Sequence, residues 1–582
     1  MKTFIYIISG LLFTSSFCFS QISDDYPFKT YLDSSNNIFV AGYKQIGNSH
    51  DIHIAKYPSD TSQNPSWHYE LISPVGDDRG LDLAVDRNGK VFVTGYLYNI
   101  ETNSNDIVVI SLHSDGTFHW GDTLRNIGDD KGMGIEISKA QNGNADEVYV
   151  TGYVSTENNY KDVIVKKYNA TNGDSLWQTT CGLKTGDDIA TDIQIDDDYA
   201  YVLGYSNFGS QRMNDIALLT FDLDYGTLQE AIYDKRVGTD DKPTGFVIAE
   251  RSNVPMTKSR IALTSNTDFP NGVGTGRKFL TIYLEPSFNN EFRIRWSREY
   301  LNCPTCRNEA ITSISQDYSG DVYAAGYIKN MDQRNHGLDF LTMKYTGDSG
   351  SYAWPGNIRL YNYAGSTSNG FNDRASSIKI NNQKDVYVAG VSDASPSGYS
   401  YVKYTQSSGQ PVLEFDRIFI PGFLESNSEH GQPLNKWSTM HLANDGTPLM
   451  VVMGWNENEA HWAAIRYDAN GNILYTINNE SGDAVNRSVP KNNLSEEIAL
   501  NNYPNPFNPS TVISYSMNGS GFVSLKIYDM TGREVASLVN EDQLSGSHSV
   551  NFNAGNLSSG VYYYTLTING ITEQRKSMIL LK

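Results

Sequence analysis

The feature that most constrains this 582-residue chain is a short strand ending in Gly-Tyr that returns at near-regular intervals. It stands at Ile38-Phe39-Val40-Ala41-Gly42-Tyr43, Val91-Phe92-Val93-Thr94-Gly95-Tyr96 and Val148-Tyr149-Val150-Thr151-Gly152-Tyr153. It recurs at Ala200-Tyr201-Val202-Leu203-Gly204-Tyr205 and Val322-Tyr323-Ala324-Ala325-Gly326-Tyr327, with looser copies ending at Gly390 and at Gly454-Trp455. The glycine steps are 53, 57, 52, 122, 64 and 64 residues. The long step holds two units, so a degenerate copy is expected near Arg260-Ile261-Ala262-Leu263-Thr264-Ser265. Eight copies is the direct count; seven, with one copy displaced, is the alternative. Such a repeat cannot bury its faces alone, so neighbouring copies must stack.

Each unit carries further marks in register. A second apolar run follows the first, as in Asp162-Val163-Ile164-Val165-Lys166-Lys167-Tyr168, then a Gly turn and often a Trp, as in Asn172-Gly173-Asp174-Ser175-Leu176-Trp177. An acidic loop then leads into the next unit: Gly76-Asp77-Asp78, Gly128-Asp129-Asp130, Gly186-Asp187-Asp188 and Thr239-Asp240-Asp241, with Ser23-Asp24-Asp25 at the equivalent place in the first unit. One unit thus reads as four strands and no helix, the pattern of a propeller blade. The runs are apolar at nearly every position, as sheets covered on both faces require. The 38 Tyr and 49 Gly suit many short strands joined by turns. The units resemble the bacterial β-propeller repeats called SBBP over about residues 22 to 488, clearly in units two, three and six and weakly in unit five, residues 244 to 310. The expected fold is all-β: an eight-bladed propeller over residues 21–488, a linker at 489–500 and a small Ig-like sandwich at 501–582.

The ends of the chain speak to location. Met1-Lys2, the apolar run Phe4 to Phe13 and the small residues before Gln21 read as a signal peptide over residues 1–20. Bulky Phe17 before Cys18 argues against a lipoprotein anchor. No later segment is long and apolar enough to be a membrane helix. At the other end, Tyr503-Pro504-Asn505-Pro506-Phe507, Thr531-Gly532-Arg533, Ser559-Gly560-Val561 and Lys576 to Lys582 punctuate a run of short alternating strands. Together these resemble the C-terminal sorting domain of proteins exported by the type IX secretion system of Bacteroidetes- and Ignavibacteria-like bacteria. The resemblance implies recognition by that machinery after passage through the periplasm, and a place on the cell surface or outside it. The net charge of −21 disfavours nucleic acid as a partner. A monomer is expected.

Candidate chemistry is thin. The repeated Asp pairs, Asp77, Asp78, Asp129, Asp130, Asp187 and Asp188, can be read as an acidic arc that holds Ca²⁺. They can equally be read as caps on turn N–H groups, since a residue repeated in every blade serves the blade. No other cofactor is implied. The recurring Asp at the start of the third strand (Asp51, Asp106, Asp162, Asp215, Asp339) and the Lys-Tyr that ends it read as architectural. Cys303-Pro304-Thr305-Cys306 has redox or metal spacing, but lies among strands with no second pair, so a loop disulfide between Cys303 and Cys306 is preferred. Cys181 is then expected free and buried. The Trp-bearing turns resemble those of quinoprotein propellers in part, and equally fit a tryptophan that packs blades together. Ser114-Asp115-Gly116-Thr117-Phe118-His119-Trp120 departs in spacing from the sialidase turn, and no Gly-x-Ser-x-Gly or His-Glu-x-x-His motif is present.

The expected function is therefore a binding or interaction module for an extracellular protein or glycan, engaged on a face or at the channel mouth. The alternative is an extracellular hydrolase, lyase or quinoprotein-like enzyme at the same mouth. Acid and base groups from three or more blades around a pocket would favour catalysis; repeat residues or an aromatic-lined face would favour binding.

Overall fold

The computed structural model describes residues 24–46, 49–59, 65–72, 76–138, 147–157, 160–182, 186–207, 213–233, 239–250, 257–268, 277–301, 309–329, 337–354, 358–361, 372–393, 398–407, 410–419, 437–456, 459–471, 473–478, 500–503, 505, 507–517, 521–529, 533–543, 546–568 and 571–581. The proposed signal peptide, residues 489–499 of the proposed linker and the Cys303–Cys306 pair lie outside these residues, and Leu500, the last residue of that linker, begins a strand instead. The chain divides into two compact units, Met1–Val489 and Pro490–Lys582.

Among the described residues, the first unit contains eight four-stranded antiparallel sheets, each built from four consecutive strands. The first strands of sheets 1 to 8 are Asp24–Leu32, Arg79–Val85, Lys131–Ile137, Asp188–Ile195, Asp240–Glu250, Ala310–Gln316, Asp373–Ile380 and Trp437–Leu442. Each of these strands packs beside its counterpart in the next sheet, and that of sheet 8 packs back on that of sheet 1. The first strands therefore line a central channel in a propeller-like ring. The ring closes by side-chain packing: Ile38, Val40 and Tyr57 of sheet 1 share a core with Leu449, Val451 and Ala464 of sheet 8.

Burial explains why the strands read as continuous apolar runs. Second and third strands are covered on both faces, as in Ser104–Leu112, whose last seven residues are all buried. Fourth strands lie at the outer edge, and Ser175–Cys181 is half-exposed throughout. Cys181 is free, as expected, but half-buried instead of buried, because it ends that outer strand. The tryptophans join sheets. The Trp120 indole N–H donates to the Ala170 carbonyl of the next sheet at 3.0 Å. Its ring lies against Gly173, whose φ of +74° and lack of a Cβ let the turn approach. Trp177 repeats the arrangement on Leu223, and Trp296 on Gly347.

The signature glycine has a tertiary cause. In sheets 1 to 7 the first strand carries a β-bulge, which skips Phe28, Leu81, Met133, Thr191, Thr244, Thr312 and Ser376 in turn. The bulge drives a carbonyl toward the second strand at the glycine. A Cβ on Gly95 would lie 1.8 Å from the Arg79 oxygen, and one on Gly152 2.0 Å from the Lys131 oxygen. In the degenerate fifth unit Ser265, on the strand Arg260–Asp268, stands opposite Pro243 at this place.

The second unit has a three-stranded sheet and a four-stranded sheet. Residues of both, among them Ile513, Phe552, Leu525 and Met578, share one core. Among the described residues this unit has seven strands, from Leu500–Tyr503 to Ile571–Leu580.

Candidate functional site

The Asp pairs divide into two roles. The second member is fully buried and fastens the start of one sheet's first strand to the end of its second. Asp78 accepts the Tyr98 N–H at 2.6 Å, Asp130 accepts the Ser155 N–H at 2.7 Å, and Asp188 accepts the Ser206 hydroxyl. In the sixth sheet Glu309 does the same for the Lys329 N–H at 2.9 Å. Burial raises the Asp130 carboxyl to about 6, against the pull of the backbone N–H groups. The first member is only half-buried. Asp77 sits 2.8 Å from both His50 Nδ1 and Arg79 Nε and accepts the Tyr96 hydroxyl. Burial works against its charge, but these partners hold it below the usual carboxylate range. Asp129 accepts from Asn105 and Tyr153, and Asp187 from the Lys161 N–H. No group of three His, Cys, Asp or Glu residues able to hold a metal occurs among the described residues.

The Lys-Tyr ends of the third strands are architectural. Lys167 pairs with Glu147 at 2.6 Å and donates to the Leu223 carbonyl of the next sheet. Asp106 is likewise engaged, by Asn99 and Arg125.

A different set of residues comes together in the channel. A cavity of about 270 Å³ is lined from five first strands, by Lys29, Asp82, Met133, Asp192 and Thr244 among others. The bulge explains the placement. The residue after each bulge faces the channel, and the residue two further on faces it one layer along, because strand side chains alternate. Between them Leu83, Ile135, Ile193 and Ile378 are buried between sheets. The first layer reads Lys29, Asp82, Gly134, Asp192, Gly245, Ser313 and Ser377 around the ring, and the second includes Tyr31, Glu136, Gln194, Ser315, Lys379 and His441.

Part of this lining is structural. The inner edge of each first strand has backbone groups with no fifth strand to meet, and side chains of the preceding sheet supply partners. Asp82 Oδ2 accepts the Ile135 N–H at 2.9 Å, and Ser313 and Ser377 accept the N–H groups of Ile378 and Met440. Asp82 Oδ1 also holds the Lys29 ammonium at 2.8 Å. That carboxylate keeps Lys29 firmly charged, against the effect of burial. Asp192 is different. Its one hydrogen bond among the described residues comes from its neighbour's backbone, the Ile193 N–H at 2.9 Å. Enclosure in the channel wall raises its carboxyl to about 7; Lys29 opposes the rise, and Asp82 and Glu136 add to it. It exchanges a proton near neutrality, beside a fixed ion pair and a cavity.

These residues do not repeat from unit to unit, so no motif marks them. The signal available was the register: aligned on the turn after each first strand, two positions vary, the first of them from Lys29 to Asp82, Gly134 and Ser313, while the residue between them is apolar in every sheet but the first, where it is Thr30. In the C-terminal unit, Asn505 and Phe507 clip the last strand. Phe507 is buried, its N–H donates to the Ile579 carbonyl at 2.9 Å, and Asn505 Oδ1 accepts the Ile579 N–H at 2.9 Å. Gly560 and Lys576 lie on the last two strands, facing Leu580 and Tyr564. Pro504, Pro506, Gly532 and Lys582 lie outside the described residues.

Comparison with known proteins gives one family match and several distant structural ones. The family model described as a secretion system C-terminal sorting domain matches residues 501–580. No curated protein matches the chain. Among solved structures, the β-propeller domain of the Trilobed protease from Pyrococcus furiosus is similar at 7% identity and a TM-score of 0.34, over 70% of this chain and 97% of that one. The acylaminoacyl peptidase of Pyrococcus horikoshii is similar at 8% identity and a TM-score of 0.33, over 75% of this chain and 59% of that one. No helix among the described residues is long and apolar enough to cross a membrane. The matched C-terminal domain marks the chain for export through the type IX secretion system, to the cell surface or beyond it.

Proposed function

We propose that this protein is an exported eight-bladed β-propeller of the SBBP type, followed by an Ig-like sorting sandwich, and that its channel captures an extracellular glycan. The observation that carries this is the loss of the repeat at the channel-facing positions. The buried staple recurs in sheets 2, 3, 4 and 6, yet the channel-facing positions change from sheet to sheet, with Lys29, Asp82 and Asp192 in one layer and Lys379 and His441 in the next. A cavity of about 270 Å³ falls just below the usual range of ligand pockets, roughly 300–1,000 Å³, and suits a sugar ring better than a folded partner. Its wall offers an ammonium, carboxylates and the Thr244 hydroxyl, the donors and acceptors that sugar hydroxyls need.

A second reading is catalysis, because Asp192 supplies a carboxyl raised to about 7 next to Asp82, from two blades around one cavity. Binding ranks first because Asp82 is already committed to Lys29 and to the Ile135 and Leu83 N–H groups, which makes it a fixed wall more than a free base. The mature chain applied to a glycan array, alongside Asp192→Asn, tests both. Retention of a glycan class by the native chain and its loss in the variant supports capture. Release of cleaved sugar by the native chain alone would support catalysis, and neither result would remove the channel as the site.

A further inference from the structure

Lys379 is the channel residue that the glycan reading leaves unexplained. It lies in the second channel layer, on the first strand of sheet 7, opposite Tyr387. No carboxylate lies within ion-pair distance of it among the described residues, whereas Lys29 has Asp82, Lys344 has Asp321 and Lys403 has Asp385. Its nearest charge influence is a like one: burial lowers its affinity for a proton, and Lys29 lowers it further.

His441 holds the equivalent position one sheet along, between Lys379 and Lys29. Its Nε2 is hydrogen-bonded to the Thr30 hydroxyl at 2.7 Å, across the junction of sheets 8 and 1 and next to Lys29 in sequence. Burial pushes the imidazole down to about 3, with Lys379 and then Lys29 adding to the effect. It is therefore neutral at ordinary pH and offers hydrogen bonding without a further charge. The opposite wall is acidic: Asp82, Glu136 and Asp192 belong to sheets 2, 3 and 4, and in a ring of eight sheets 3 and 7 face each other. The channel is thus uneven across its width: the Lys379 ammonium of sheet 7 and the neutral His441 of sheet 8 stand across from carboxylates on sheets 2 to 4, and Lys29 of sheet 1 is paired with the first of these, Asp82.

We infer that the wall of sheets 7 and 8 is an oxyanion site, held by Lys379 with His441 beside it and with the Lys29–Asp82 pair at its edge, and that the glycan taken by the channel is an acidic one. A half-buried ammonium with no carboxylate at ion-pair distance bears part of its desolvation unbalanced, and the field of Lys29 adds to that cost. A bound carboxylate or sulfate relieves both, and the acidic wall opposite is left to accept from sugar hydroxyls. This rests on the glycan reading above and narrows it to a carboxylated or sulfated sugar.

The test is calorimetric titration of the full mature chain with sodium sulfate, D-glucuronate and D-glucose at constant ionic strength. Both anions are expected to bind, with glucose at least about tenfold weaker, and Lys379→Met should weaken both anions by about tenfold or more. Lys379→Arg should restore most of that loss, which a merely structural lysine would not show. Tighter sulfate than glucuronate assigns a sulfated sugar, and the reverse a uronic acid. Equal affinity for glucose and glucuronate, an unchanged Lys379→Met, or no binding of either anion overturns the inference. Array binding confined to neutral glycans would sink it while leaving the glycan reading intact. Anion binding without any glycan retained on the array would instead remove the glycan reading and leave the oxyanion site.

Discussion

Substituting alanine for Gly152 tests the link between the repeat signature and the bulge that builds the channel. The added Cβ would lie 2.0 Å from the Lys131 carbonyl oxygen and 3.0 Å from the Gly132 Cα. Ordinary carbon–oxygen contact is roughly 3.3 Å, so backbone must move by about 1.3 Å. Neither strand can give easily, because Thr151 and Tyr153 on either side are paired with Gly134 and Lys131 in the same ladder. The cost belongs at the upper end of small-to-large substitutions, about 3 kcal/mol. Gly121→Ala is the control: its Cβ would meet the Val109 oxygen at 3.2 Å and the Phe118 ring at 3.4 Å, which small shifts relieve. Alanine also restricts the unfolded chain, so the control should fall within about 1 kcal/mol of neutral. Urea unfolding of the mature chain, followed by tryptophan fluorescence, compares the two midpoints. A Gly152→Ala midpoint no lower than that of Gly121→Ala would refute the claim that the bulge imposes the glycine.

The Asp192 carboxyl holds its proton up to about 7 in the folded protein against 3.8 for the free group, so between those values the folded state binds the extra proton. Stability contributed by this group is therefore present at low pH and lost as pH rises from about 4 to about 7; melting temperatures of Asp192→Asn should show a flatter profile across that window, and an identical slope would contradict the assignment. Calcium should leave the melting temperature unchanged, because Asp78 and Asp130 are spent on backbone N–H groups and Asp188 on a hydroxyl; saturable binding in a calcium titration would restore the acidic arc. Phe507→Ala should destabilise the C-terminal unit by about 3–5 kcal/mol by emptying a buried aromatic site, and should lower the amount of chain reaching the cell surface in fractionated cells. Removing residues after about 480 should leave a folded first unit in the periplasm, and normal surface delivery of that truncation would show the tail is not the address.

Much of the architecture was legible because it repeats. The copies ending at Gly95, Gly152 and Gly326 placed second strands correctly, and even the eroded copy at Arg260 was found by spacing alone. The Asp pairs were legible as a pattern but not as a function, since hydrogen bonding to a neighbouring N–H and metal binding ask for the same side chain. The structure separates the two pair members by burial, which no spacing reveals. The channel residues were hidden for the opposite reason. Lys29, Asp192, Lys379 and His441 are far apart in the chain, share no motif, and stand on the channel side only because the first strands meet around it.

The sequence by itself therefore determined the unit, its four strands and the address at its end, because periodicity and turn residues act over a few residues at a time. Tertiary structure alone decided which residues share the channel and which of them carry unbalanced charge. Ring closure brings together sheets separated by hundreds of residues, and the electrostatic state of Lys379 or Asp192 depends on neighbours that only that closure supplies.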